Sequence, residues 1–113
     1  MAAYLIGHIE VLDFAKWTKY LGKVDQTILA HGGEVIFRGL KHATASSGEG
    51  FASQREYARV VALKFVDMAA LHRWHDSDEY AALKPLRHAA AAVTVFTYED
   101  DDESLRVTTA ARK

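Results

Sequence analysis

The chain has 113 residues, of which half are hydrophobic and 11% aromatic, so it encodes one domain with a modest core and not a disordered segment. Fourteen Lys and Arg against fifteen Asp and Glu leave a net charge of -1, without the basic excess that a nucleic-acid or anionic-membrane surface requires. Zero cysteines exclude disulfides, thiolate metal sites and a Cys nucleophile. Apolar runs such as Ala89–Val93 are too short to span a bilayer, and the N-terminal residues lack the charged-then-apolar layout of a secretion signal. The expected location is the cytoplasm.

In chain order, Ala3–Val11 (AYLIGHIEV) has strand composition and is too short for a stable helix. Asp13 is placed to cap a helix whose Phe14, Trp17, Leu21, Val24 and Ile28 recur at three and four, forming one apolar stripe. His31-Gly32-Gly33 ends that helix, with glycine available for a left-handed cap. Glu34–Arg38 is a second strand, and the small, polar stretch Leu40–Glu56 predicts an extended excursion and loop. Tyr57–Val66, rich in Val and Phe, is a third strand. Asp67 caps a short helix, Met68–His75; Ser77 caps another turn through Leu83, which Pro85 interrupts or restarts. Ala92–Tyr98 is the last strand. The domain is therefore expected over residues 1–98, with an acidic tail over 99–113 that stays mobile unless a partner holds it.

The order strand–helix–strand–strand–helix–strand is an α+β, ferredoxin-like βαββαβ arrangement, with the first and third strands central in a four-stranded antiparallel sheet. Leu5, Ile9 and Val11 lie on one face of the first strand and Tyr4, Ile6 and His8 on the other; the third strand is apolar on both faces too. Two helices cover only one face, so the pattern predicts a homodimer with sheets face to face, forming a dimeric α/β barrel.

The stretch His75-Asp76-Ser77-Asp78-Glu79-Tyr80-Ala81-Ala82-Leu83-Lys84-Pro85-Leu86-Arg87 resembles the signature of the domain of unknown function 1330 family. The opening strand with Asp13, the Gly32-Gly33 break and Arg38-Gly39 match its layout, and the resemblance covers roughly the first hundred residues. Asp78 stands where the family commonly has Pro, and His75 where it often has Tyr. The resemblance implies a small dimeric α/β barrel. Related barrels include cofactor-free monooxygenases, isomerases, dehydratases and haem-binding enzymes, so it implies no single reaction.

Tyr80, Lys84 and Arg87 recur at four and three, which puts them on one helical face if Pro85 only kinks the axis. A phenol, an ammonium and a guanidinium in line suit an anionic or carbonyl-bearing ligand, with Arg87 as the fork and Tyr80 as a hydrogen-bond donor. Arg38, ending an apolar strand, is a second anchor for an anion, or else pairs with Glu34 or Glu10. His8, mid-strand, and His75 are the histidines placed to move a proton, histidine being the side chain that titrates near neutral pH. His72 and His75 supply two ligands where a metal needs three or more, so no metal site is assigned, and no phosphate loop or cofactor motif appears. The residues thus suggest a cofactor-independent enzyme in which His8, His75 and Tyr80 do acid–base work and Arg38 and Arg87 hold a small molecule. A ligand-binding or purely structural dimer is the alternative.

Overall fold

A computed structural model describes residues 1–43, 57–104 and 106. Strand β1 (Ala3–Val11) leads through Asp13, whose carboxylate accepts from Lys16 N at 3.1 Å, into helix α1 (Phe14–Ala30). The left-handed turn at Gly32, φ +76°, brings in β2 (Glu34–Leu40). Strand β3 (Arg59–Phe65) is followed by α2 (Met68–His75), α3 (Asp78–Ala81), α4 (Lys84–Ala90) and β4 (Ala91–Glu99). The sheet order is β2-β3-β1-β4, with every pair antiparallel, so β1 and β3 are central as the connection rules require. The four-stranded antiparallel sheet and its helices make an α+β, ferredoxin-like fold.

Several boundaries differ from those expected. The third strand begins two residues later, at Arg59, and the second extends through Gly39 to Leu40 over a register shift between Val35 and Phe37. The helix after Ser77 stops at Ala81 and restarts at Lys84, where Pro85 occupies the first turn, a position that needs no backbone N–H. The excursion expected over Leu40–Glu56 falls largely, and the mobile end of the tail partly, outside the described residues. Pairing reaches past Tyr98: Ala3 faces Glu99, and Asp100 N donates to Ala2 O at 3.2 Å.

The core lies between the sheet and the helices. Ala3, Leu5 and Ile9 of β1 meet Leu63 and Phe65 of β3 and the buried residues of α1 and α2. The buried face of α1 is Trp17, Tyr20, Val24 and Ile28. Phe14, expected on that face, is exposed instead, because it lies at the helix start beyond the sheet's cover; the Arg59 guanidinium sits 4.9 Å above its ring. On α2, Leu71 and Trp74 are buried and His75 is not. Trp74 also donates from Nε1 to Thr27 Oγ1 at 2.9 Å, joining α2 to α1.

Two glycines give opposed expectations. A Cβ on Gly33 would meet Phe65 at 2.5 Å and Ile28 Cγ2 at 2.8 Å, whereas nothing stands within 4 Å of one on Gly22. Gly33→Ala should lower unfolding stability by roughly 1–3 kcal/mol through overpacking. Gly22→Ala, in the exposed helix interior, should raise it by about 0.5–1 kcal/mol. Urea titration of the two variants checks both signs.

Candidate functional site

Strand alternation puts Leu5, Gly7 and Ile9 on the helix side of β1, and the missing side chain of Gly7 leaves room there. A cavity of about 50 Å³ lies above it. Apolar side chains from the sheet and from α1 make most of its wall, and its polar groups are Tyr20, Arg38, Tyr80 and Arg87. No Asp, Glu or His lines it among the described residues.

The polar corner forms across the break between α3 and α4. Ser77 Oγ accepts from Tyr80 N at 3.2 Å and donates to Trp74 O at 2.7 Å, which fixes the first turn of α3. Tyr80 is buried with its ring 4.3 Å from that of Trp74. Its hydroxyl accepts from Arg87 Nη1, while Arg87 Nη2 lies 3.1 Å from His88 Nε2. Lys84 Nζ stands 5.7 Å from the centre of the Tyr80 ring, so the spacing inferred from a continuous helix survives the interruption. Arg87 Nε is buried and has no hydrogen-bond partner. Neither Lys84 nor Arg87 pairs with a carboxylate among the described residues.

Tyr20 faces Tyr80 from α1. Burial, together with the charge interaction and hydrogen bond with Tyr80, pushes its phenol well above the ordinary value of 10.0. Arg38 occupies the far side of the cavity with its guanidinium clamped in two-pronged fashion on Asp25, Nη2–Oδ1 2.5 Å and Nη1–Oδ2 3.2 Å. The acids expected to pair with Arg38 were Glu34 or Glu10. Asp25 takes that place because β2 returns alongside α1, which sequence distance does not reveal.

Of the five residues singled out from the sequence, Tyr80, Arg87 and Arg38 line this cavity. His75 lies beside it: its ring is 5.7 Å from that of Tyr80, its Nδ1 is 3.5 Å from Asp76, and it is not part of the wall. His8 does not belong to the same site. It projects from the opposite face of the sheet with Tyr4 and Ile6, its ring 6.0 Å from those of Tyr57 and Phe96, because even-numbered residues of β1 all point away from the helices. A single site using His8 together with Tyr80 is therefore ruled out within one chain. His72 and His75 have no third ligand nearby: no group of three or more His, Asp or Glu is arranged to hold a metal among the described residues.

Tyr20 is the cavity residue that sequence reasoning missed. It carried a signal, being three after Trp17 and four before Val24, a helical spacing as good as that of Leu21.

The raised Tyr20 value has a consequence for stability. The unfolded chain gives up its phenol proton near the ordinary value while the folded chain keeps it, so this contribution is complete below about pH 10 and is lost as pH rises further. Urea midpoints measured between about pH 9 and pH 11 should fall, and Tyr20→Phe should flatten that decline.

No helix among the described residues is long and apolar enough to cross a membrane. A comparison with curated proteins gives no match. Solved structures give the fold. A protein of unknown function from Rhodopseudomonas palustris superposes with a TM-score of 0.72 at 11% identity, over 88% of this chain and 82% of its own. SnoaB, a cofactor-independent oxygenase from Streptomyces nogalater, gives 0.61 at 9% identity over 88% and 92%. A dimeric protein of unknown function with a ferredoxin-like fold from Bacteroides fragilis gives 0.53 at 9% identity over 88% and 96%. Residues 2–100, which include strands β1 to β4, helices α1 to α4 and every polar group of the cavity, match the domain of unknown function DUF1330, and the chain belongs to that family.

Proposed function

We propose that this protein takes one end of a small anionic or carbonyl-bearing molecule into the helix-side cavity and acts on it as a cofactor-independent enzyme. The observation that carries this reading is Arg87: a guanidinium on an apolar wall, with no carboxylate paired to it among the described residues and with Nε buried and unpartnered. An unsatisfied buried donor of this kind costs about 1–3 kcal/mol, which an anion or carbonyl oxygen in the cavity offsets. Tyr80 accepts from Arg87 and shares a hydrogen bond with Tyr20, so the phenol pair keeps one proton to donate. Two phenols and a guanidinium therefore face the position where negative charge on a substrate oxygen develops. His75, ring to ring with Tyr80, is the nearest candidate to receive a proton. SnoaB, which shares the fold, is described as working without a cofactor.

One observation favours a second reading, binding without turnover: no imidazole or carboxylate lines the cavity among the described residues, so no base stands against the ligand. The two separate with 2-oxohexanoate as probe. An enzyme of the proposed kind moves a C3 proton to a base, with the C–H electron pair passing to the carbonyl oxygen, and returns a deuteron in heavy water. Proton NMR should show protein-dependent exchange at C3 that Tyr80→Phe suppresses by about 10²-fold or more. Binding seen by saturation transfer, with no exchange above buffer, would establish the second reading. Arg87→Met should weaken binding at least about tenfold with the circular dichroism unchanged; undiminished binding refutes the cavity assignment.

The assembly we infer is a homodimer through the open sheet face. That face carries Tyr4, Ile6, His8 and Ala62 with Phe37, Phe96 and Tyr98, the last three 51%, 48% and 50% exposed, an apolar surface broad enough to need a cover. A second copy supplies the same surface by two-fold symmetry, and the Bacteroides fragilis neighbour is described as dimeric. His8 then belongs to the interface. Sedimentation equilibrium should give twice the chain mass for the native protein and the single-chain mass for Phe96→Glu; a native monomer refutes the assembly.

A further inference from the structure

Beyond the inner cavity, a second hollow of about 200 Å³ opens among Trp17 and Leu21 of α1, Arg38, Gly39 and Leu40 of β2, Ile9 of β1, and Arg59 and Val60 of β3. Ile9, Trp17, Leu21 and Arg38 belong to both walls, so the two spaces lie side by side. Their chemistry differs. The inner one is small and holds the donors Tyr20, Tyr80 and Arg87. The outer one is larger, floored by apolar side chains, and its only charged wall residues among those described are Arg38 and Arg59. Two of Arg38's five N–H donors go to Asp25, and the others remain. Arg59 rests its guanidinium against the face of Phe14, which holds the group over the hollow without using its hydrogen-bonding edge.

From these two spaces we infer that the ligand has two ends: an oxo or carboxyl group in the inner cavity and a second carboxylate between Arg38 and Arg59. Its apolar middle lies against Ile9, Trp17 and Leu21. This inference rests on the reading of the inner cavity given above. Val61 lines the inner space and Arg59 the outer, one two-residue step along β3, or roughly 6.6 Å. A chain of about six carbons covers such a step. The inner space, at about 50 Å³, admits a functional group and not a whole molecule, so the remainder must lie outward. The outer hollow, which shares four wall residues with the inner space, is where Arg59 stands.

The test is calorimetric titration of the full chain with two probes differing only at the far end, 2-oxohexanoate and 2-oxoadipate. The native protein should bind 2-oxoadipate about tenfold more tightly, the effect of one charge-assisted contact. Arg59→Ala should abolish that preference, bringing the affinity for 2-oxoadipate down to that for 2-oxohexanoate, with an unchanged circular dichroism spectrum showing that the variant is folded. Arg59→Gln, which keeps the stem over Phe14, serves the same purpose if the alanine variant does not fold. Equal binding of the two probes by the native protein, or a preference that survives loss of Arg59, overturns the two-ended ligand and leaves the inner cavity standing. A native protein that binds neither probe, or an Arg87→Met variant that binds 2-oxohexanoate undiminished, overturns the inner cavity and this inference with it.

Discussion

The hydrogen bond from Arg87 to the Tyr80 hydroxyl joins two short helices that the turn at Ala82 and Leu83 separates. Helices of four and seven residues have little stability of their own, so packing and side-chain contacts decide how they sit. Tyr80 is fixed first, by the Ser77 cap at its backbone and by Trp74 against its ring. Arg87 then reaches back over the Pro85 turn to it, and Lys84 stays near the same ring. Trp74 is in turn held to α1 through Thr27. The phenol is thus where α1, α2, α3 and α4 agree on one geometry, and the cavity inherits its polar corner from that agreement.

The sheet separates two chemistries. On its helix face the strand alternation delivers Leu5, Gly7, Ile9, Val61 and Leu63, an apolar floor beside which a guanidinium and two phenols sit. A Cβ on Gly7 would come within 3.1 Å of Val61 Cγ1, so a side chain there would crowd the floor of the cavity. On the other face His8 stands among Tyr57, Phe96 and Thr94, to whose hydroxyl Tyr57 is hydrogen-bonded. Because a strand offers alternate residues to opposite sides, His8 and Tyr80 belong to different surfaces however close they are in the fold.

Most of the architecture was legible because its signals are local. Asp13, Asp67 and Ser77 each cap the helix they precede, and His31 Nδ1 lies 2.9 Å from Thr27 O at the other end of α1. The order of elements, with handed connections, gave the strand order. The candidate site was legible only in part. Tyr80 and Arg87 were singled out by residue type, spacing and the family resemblance, and Arg38 by its place at a strand's end, yet Tyr20 was passed over for Leu21, since both fit a helical stripe and only the tilt of α1 against the sheet distinguishes them. Arg59 was passed over because a charged residue at a strand's start gives no local sign of facing a hollow.

By itself, the sequence determined the elements, their caps, the antiparallel order and the two-sided apolar character of the sheet. These follow from periods of 3.6 and 2 and from backbone chemistry within a few residues. The tertiary structure alone decided that Tyr20, Tyr80, Arg87 and Arg38 converge, that Asp25 is the partner of Arg38, and that His8 is turned away from them. Those relations depend on how four helices pack on a twisted sheet. The packing is set by the summed volumes of side chains far apart in the chain, and no local pattern encodes it.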